Sequence, residues 1–311
     1  MIDVIGKRYW FFGISGAIII VGLIALALWG LPLGLDFTGG ALIEVQFKNP
    51  TVAVQPADVS TILAARGFND AVVQTSGTNT VLIRTGPMDN DTKLAVYAEL
   101  RQKYGDLTEL QYNNVGPSVG AAVAQRAIIA VAIAEGIILL YIAWAFRKVQ
   151  HPLRYGVAAI IALIHDVLVL LGVAAILGHF LGWQVDALFL TAMLTVIGFS
   201  VHDTIVVFDR IRENLIKYRG EVFDTVVNFS IIQTLVRSLN TSLTVIITLS
   251  ALALLGGVTT RHFVVYMLIG IISGTYSSIF NAAPVLVVWN NREWRRWFRK
   301  DAPATTRTGP A

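Results

Sequence analysis

The sequence predicts an α-helical membrane protein with six transmembrane helices. A small α+β ferredoxin-like (βαββαβ) domain is inserted after the first of them. Three observations predict it. Of 311 residues, 55% are hydrophobic and only 14% charged, against about 25% charged in soluble domains. Six apolar runs reach the length of at least about 17 residues that crosses a hydrocarbon core. Between the first and second runs, residues 32–125 carry strand-like alternation, helix-like stretches and turn residues instead.

Lys7 and Arg8 precede the first run, Tyr9–Leu31. Ala25-Leu26-Ala27 matches a cleavage site weakly. The run exceeds a signal peptide's apolar region of about 7–15 residues, so an uncleaved span is expected. In the inserted domain, Ala41–Phe47 alternates as a strand and Pro56–Arg66 reads as a helix stopped by Gly67. Ala71–Thr75 and Thr80–Thr85 are strands joined by the turn Ser76-Gly77-Thr78-Asn79. Asp89–Tyr104 is a second helix, with Asp91 as its cap and Gly105 as its stop, and Leu107–Val115 closes the unit. That order is the split βαβ arrangement. The remaining spans are Ala127–Phe146, Tyr155–Leu177, Ala187–Phe208, Leu239–Leu255 and Phe263–Trp289, followed by a basic tail over residues 291–311. Glu221–Ser230 is apolar on one face and is expected along the membrane surface. Trp294 and Trp297 read as an interfacial anchor, and the last residues, TTRTGPA, as disordered.

Charge sets the topology. Arg147, Lys148 and Arg154 lie between the second and third spans; Arg210, Arg212, Lys217 and Arg219 follow the fourth; Arg292, Arg295, Arg296, Arg299 and Lys300 follow the sixth. The opposite short loops carry only Arg261. Positive-inside bias therefore puts both termini in the cytoplasm and the inserted domain outside, in the periplasm of a two-membrane bacterium. The same clustering explains the net charge of +4 without nucleic acid. No cysteine is present, which excludes disulfides and thiolate chemistry. There is no P-loop, no H-E-x-x-H and no G-x-S-x-G, and the five histidines lack metal-ligand spacing. The chain is read as neither an enzyme nor a holder of metal or cofactor.

Polar groups inside the spans are the functional candidates, because a carboxylate at bilayer depth costs about 2.5–3.5 kcal/mol. The second span holds Glu135, the third His165 and Asp166, the fourth His202 and Asp203. On the fifth, Arg237, Asn240, Thr241, Thr244 and Thr248 fall at i, i+3, i+4, i+7 and i+11, one polar stripe that must face protein or water. Asp203, Arg210 and Asn214 share a face of the fourth span. Asp203 and Arg237 lie toward the same end of neighbouring spans, so an ion pair or proton relay between them is the expectation. Burial and a nearby arginine move a carboxylate's pKa in opposite directions, so such a pair has the means to switch protonation state. Each of these residues also has a structural reading: a packing hydrogen bond for Glu135 and Asp166, a snorkelling topology charge for Arg237.

Two motifs resemble one family. Leu35-Asp36-Phe37-Thr38-Gly39-Gly40 is similar to the D-F-x-G-G signature of the SecD/SecF translocation proteins. The run Asp203–Asn214, DTIVVFDRIREN, resembles the fourth-span motif of the family's SecF branch. Val115-Gly116-Pro117, His165-Asp166 and Gly274-Thr275-Tyr276-Ser277-Ser278 match in order, so the resemblance covers nearly the whole chain. It implies half of a resistance-nodulation-division (RND) type fold in the bacterial inner membrane. It also implies pairing with SecD beside the SecYEG channel, the SecA ATPase and YajC, and use of proton motive force to help unfolded exported chains clear the membrane. The family's proton-pathway Asp falls on Asp203 and its fifth-span Arg on Arg237, with His202, Asn240, Thr241, Thr244, Asp166 and Glu135 as supporting groups. His202 stands where the family often has Asn or another small polar residue. The lead-in before the first span fits either a separate subunit or the second half of a SecD–SecF fusion.

Asp36, Phe37, Gly39 and Gly40 read two ways from their chemistry, as a hinge between membrane and inserted domain or as a static turn capped by Asp36. Two other functions compete with protein export: half of an RND-type small-molecule or lipid exporter, and a non-transporting assembly scaffold. The inserted domain is small and shows no aromatic-lined substrate pocket, which argues against the exporter.

Overall fold

The computed structural model describes residues 3–48, 53–75, 79–147 and 151–293. The turn residues 76–78, the Trp294–Trp297 anchor and the TTRTGPA tail lie outside them. The chain forms two compact units, one of residues 32–131 with 184–187, the other of residues 1–31, 132–183 and 188–311.

The first unit is built on strands β1 (Gly40–Phe47), β2 (Val72–Thr75), β3 (Thr80–Thr85) and β4 (Leu107–Val115). They pair antiparallel in the order β2-β3-β1-β4, with α3 (Pro56–Ala64) and α4 (Asn90–Tyr104) as the crossovers. This is the expected βαββαβ unit. Alternation puts Ala41, Ile43, Val45 and Phe47 of β1, with Val81 and Ile83 of β3, on one face. Val59 and Leu63 of α3 and Val96, Leu100 and Tyr104 of α4 cover that face, and all are buried. Gly105, at φ +92°, ends α4 as expected, a backbone region open to glycine. Its cap is Asp89, whose Oδ1 accepts the Thr92 N–H at 3.3 Å, and not Asp91, which falls inside the first turn.

The second unit is helical: α1 (Arg8–Trp29), the second half of α5 (Pro117–Ala145), α6 (Pro152–Leu181), α7 (Ala187–Lys217), α8 (Phe223–Leu255), α9 (Val258–Ser277) and α10 (Ala283–Asn290). A five-residue π-helical segment, Ser278–Ala282, joins the last two into one span. Six helices are long and apolar enough to cross a membrane. They outrun the apolar runs. The helix expected from Ala127 begins at Pro117, and α7 carries its charged end to Lys217. Glu221–Ser230 does not form a separate surface helix. From Phe223 it is the start of α8, with Val226, Val227, Ser230 and Ile231 buried.

Two features hold the bundle in register. Gly22 of α1 and Gly172 of α6 meet backbone to backbone, since a Cβ on Gly172 would stand 2.5 Å from the Gly22 Cα. Small residues permit such approach where helices have only packing to join them. At the other end of α1 the lead-in is tied to α8 and to the residues after α10. The Val4 and Ile5 N–H groups donate to Asn228 Oδ1 at 2.8 and 3.2 Å. Arg8 bonds Glu293 at 2.6 Å, and the Tyr9 hydroxyl donates to the same carboxylate at 2.6 Å.

Gly172→Val should force α1 and α6 apart, at a cost of about 1–3 kcal/mol or more for overpacking. A thermal melt of the detergent-solubilised protein checks this: Gly172→Val should melt several degrees lower, while Gly16→Val, where a Cβ meets nothing within 4 Å, should not.

Candidate functional site

Among the described residues, two carboxylates are buried within the spans of the helical unit, and their surroundings differ. Asp166, on α6, is 1% exposed and accepts four hydrogen bonds. Ser200 and Ser277 donate to Oδ2 at 2.6 and 2.7 Å, and Ser273 donates to Oδ1 at 3.0 Å. His165 Nδ1 lies 3.0 Å from Oδ1. Every strong acceptor direction of the carboxylate is filled. Gly274 makes this possible, since a Cβ there would stand 3.0 Å from Ser200 Cβ, so α9 lies directly against α7.

Asp203, on α7, is 2% exposed and among the described residues has one hydrogen bond, a long one: Ser242 of α8 donates to its Oδ2 at 3.5 Å. The Thr275 hydroxyl of α9 lies 2.7 Å behind the Ser242 oxygen. The segment Ser273–Ser278 therefore serves both acids. Ser273 and Ser277 hold Asp166, and Thr275 backs the one partner of Asp203. Ser278 donates to the Ser200 carbonyl at 2.9 Å and accepts from Thr204, the residue after Asp203, at 3.0 Å. Ser278 opens the π-helical segment, where the helical ladder shifts by one residue. These hydroxyls form a polar track from Asp166 to Thr204.

The stripe on α8 lies elsewhere. Arg237, Asn240, Thr241, Thr244 and Thr248 are exposed, whereas Ser230, Thr234, Ser238 and Ser242, each four residues apart, are buried. The face toward Asp203 is this row of small hydroxyls, and the arginine-led stripe is the exposed face beside it. The Thr241, Thr244 and Thr248 hydroxyls bond the carbonyls four residues earlier in their own helix. Among the described residues no hydrogen bond or ion pair joins Asp203 to Arg237. Arg237 instead lines a 440 Å³ cleft with Asp209, Arg210 and Glu213. Asn214 is buried and donates to Ser230 Oγ and Gln233 Oε1, both at 2.9 Å, which fixes α7 to α8 below Asp203. His202 is exposed and Glu135 half-buried. Sequence reasoning missed Ser200, Ser242, Ser273 and Thr275. The four-residue spacing of Ser230, Thr234, Ser238 and Ser242 was the available signal. No group of three or more His, Asp or Glu among the described residues is placed to hold a metal ion.

The D-F-T-G-G segment has its own geometry, within the first unit. Leu35–Thr38 forms a single helical turn (α2), and Gly39 and Gly40 follow at φ +72° and +127°. A Cβ on Gly40 would stand 2.6 Å from the Thr85 carbonyl oxygen, so backbone meets backbone there. Phe37 is half-buried beside them. Asp36 does not cap its own turn. Its Oδ2 accepts the N–H of Ala187, the first residue of α7, at 2.8 Å. Gly34 N–H donates to the Val185 carbonyl at 2.7 Å, and Val185 N–H to the Pro32 carbonyl at 2.8 Å. The segment thus ties residues 185 and 187 into the first unit.

These motifs also decide the family. Residues 95–292 match the description "Protein export membrane protein SecD/SecF, C-terminal", and residues 25–51 match "SecD/SecF GG Motif". The chain belongs to the SecD/SecF family. Among SecD/SecF relatives, the protein translocase subunit SecF of Anaerolinea thermophila is 52% identical over 304 residues, covering 97% of this chain and 98% of that one. That of Thermobaculum terrenum is 51% identical over 320 residues, with 99% and 100% covered. The SecDF subunit of Bacillus subtilis is 34% identical, and the match covers 94% of this chain and 39% of that longer one. The crystal structure of SecDF, a translocon-associated membrane protein from Thermus thermophilus, superposes with a TM-score of 0.80 at 31% identity. It too covers 94% of this chain and 39% of that chain. The expected architecture, half of an RND-type fold with a small α+β unit, is borne out.

Ser277→Ala removes one of the donors to Asp166 and should cost about 1–2 kcal/mol, because the carboxylate stays buried with a partner fewer. The melting temperature should fall by a few degrees, against no measurable change for Thr248→Ala on the exposed stripe.

Proposed function

We propose that the chain is an auxiliary subunit of the bacterial Sec protein-export machinery. It acts with SecD in the inner membrane and uses the proton motive force to promote late steps of translocation. The observation that carries the coupling role is the contrast between the two acids. Asp166 has four donors around its charge, whereas Asp203 has one hydrogen bond at 3.5 Å. Few hydrogen bonds hold the Asp203 carboxylate, and a change of its charge has a neighbouring helix, α8, to act on. A charge crossing the membrane potential carries about 2.3 kcal/mol per 100 mV, enough to bias a helix rearrangement.

Arg237 takes part as the nearest basic group of the neighbouring helix, with Asn240, Thr241 and Thr244 beside it. Polar side chains at bilayer depth are costly against lipid, and this stripe is exposed in the single chain. We assign it to the surface that SecD covers. Relatives in which the two halves are named as one SecDF protein support that pairing. SecYEG, SecA and YajC, with exported unfolded chains as clients, complete the assembly in this reading. In this reading both termini lie in the cytoplasm, supported by the positive-inside bias of the arginines.

Asp203→Asn should leave the complex with SecD intact and abolish the uncoupler-sensitive part of export of a periplasmic reporter. A variant that exports at the wild-type rate and stays uncoupler-sensitive would rule Asp203 out as the coupling group. Recovery of a drug-efflux partner in place of SecD on co-purification would overturn the export reading itself.

A further inference from the structure

At the end of the helical unit where α6 begins, α7 ends, α8 begins and α10 ends, a cleft of about 530 Å³ opens between the helices. Three arginines line it: Arg154 from α6, Arg212 from α7, and Arg219 from the α7–α8 connection. None of its lining residues is acidic. Arg154 spends one donor on a neutral partner, Asn290 Oδ1, at 2.9 Å. Arg212 pairs with Asp209 at 2.7 Å through one nitrogen, on a side chain that is 41% exposed. Arg219 is exposed and has no ion pair among the described residues. Three guanidinium groups thus converge against a single carboxylate, which lies outside the cleft.

The backbone adds to this field. Helices α6 and α8 both start here, after His151 and Val222, and neither residue's side chain caps its helix. The positive ends of two helix dipoles therefore lie at this end of the unit. The chemistry suits a phosphate, whose oxygens match the planar donor fork of arginine.

The walls identify the source of that phosphate. Ile216, Phe223 and Leu286 line the cleft beside the arginines. Ile216 is 63% exposed and its neighbour at the rim, Val222, 66% exposed. A site for a free anion has no use for exposed aliphatic side chains around it. A lipid headgroup, whose acyl chains must continue into an apolar environment, does. Basic pockets between membrane helices hold anionic headgroups by this combination.

We propose that this cleft binds an anionic phospholipid, with its phosphodiester on Arg154, Arg212 and Arg219 and its acyl chains along Ile216 and Phe223. The site is distinct from the two buried acids. Its occupant would join the ends of four helices, the one that carries Asp203 among them.

The test is native mass spectrometry of the protein co-purified with SecD in detergent, titrated with phosphatidylglycerol, phosphatidylcholine or inorganic phosphate. Phosphatidylglycerol should remain bound, and phosphatidylcholine should not. Arg212→Gln with Arg219→Gln should weaken phosphatidylglycerol binding at least about tenfold, as expected for charge-assisted contacts. Arg261→Gln, a charge-matched change in α9 away from the cleft, should have no effect. Arg219→Gln alone should weaken binding severalfold, and it removes an exposed side chain on which no described contact depends. Equal retention of the two lipids, or undiminished binding in the arginine variants, would overturn the proposal. So would displacement of phosphatidylglycerol by millimolar inorganic phosphate, which would make this a free-anion site, or binding only after SecD is removed, which would make it a protein interface.

Discussion

A charged carboxylate among apolar helices is costly unless its charge is solvated by something other than water. Asp166 meets that condition by drawing α6, α7 and α9 together around it. Ser200 comes from one neighbouring helix, Ser273 and Ser277 from another, and His165 from its own. The glycines at 270 and 274 lie against Val196 and Ser200 of α7, at separations where a Cβ would collide. Remove the close approach and the donors no longer reach. The position of α9 is therefore set by an acid, and α9 in turn sets what surrounds the second acid.

That second acid, Asp203, is as buried as the first and almost unserved. Among the described residues Ser242 is its one hydrogen-bond partner, with Thr275 behind it. The same six-residue stretch of α9 and the π-helical start holds one carboxylate fast and leaves the other loosely held. A shifted hydrogen-bond ladder at Ser278 allows the chain to present hydroxyls to both sides. A change of charge at Asp203 would act on a helix hydrogen-bonded to α8 through Asn214.

Much of this was legible in the sequence, for physical reasons that also mark where legibility stopped. Apolar length announced the spans, and two-residue alternation announced β1 and β3. Gly105 announced a helix end because few other residues adopt its backbone angles. The cap of α4 was misplaced by two residues because Asp89 and Asp91 are equally good acceptors, and only the first helical residue decides between them. Glu221–Ser230 was set apart because Gly220 and the charges before it read as a boundary, whereas packing of Val227 and Ile231 carries α8 back to Phe223. The stripe from Arg237 to Thr248 was seen as a stripe, but periodicity gives the phase of a helix and not the neighbour it turns toward. Serines in apolar helices are quiet signals, since each can satisfy itself on the carbonyl four residues back. The sequence therefore pointed to Arg237 on α8, while Ser242, on the face beside that stripe, is what hydrogen-bonds Asp203.

In the function proposed above, Asp203 is the acid that exchanges protons. Isotope-edited infrared spectroscopy of the complex with SecD in lipid, followed across pH, addresses it directly through the carboxylic C=O stretch. A titrating band that disappears in Asp203→Asn and persists in Asp166→Asn is the result expected. A band that persists in Asp203→Asn and is lost in Asp166→Asn would contradict the account.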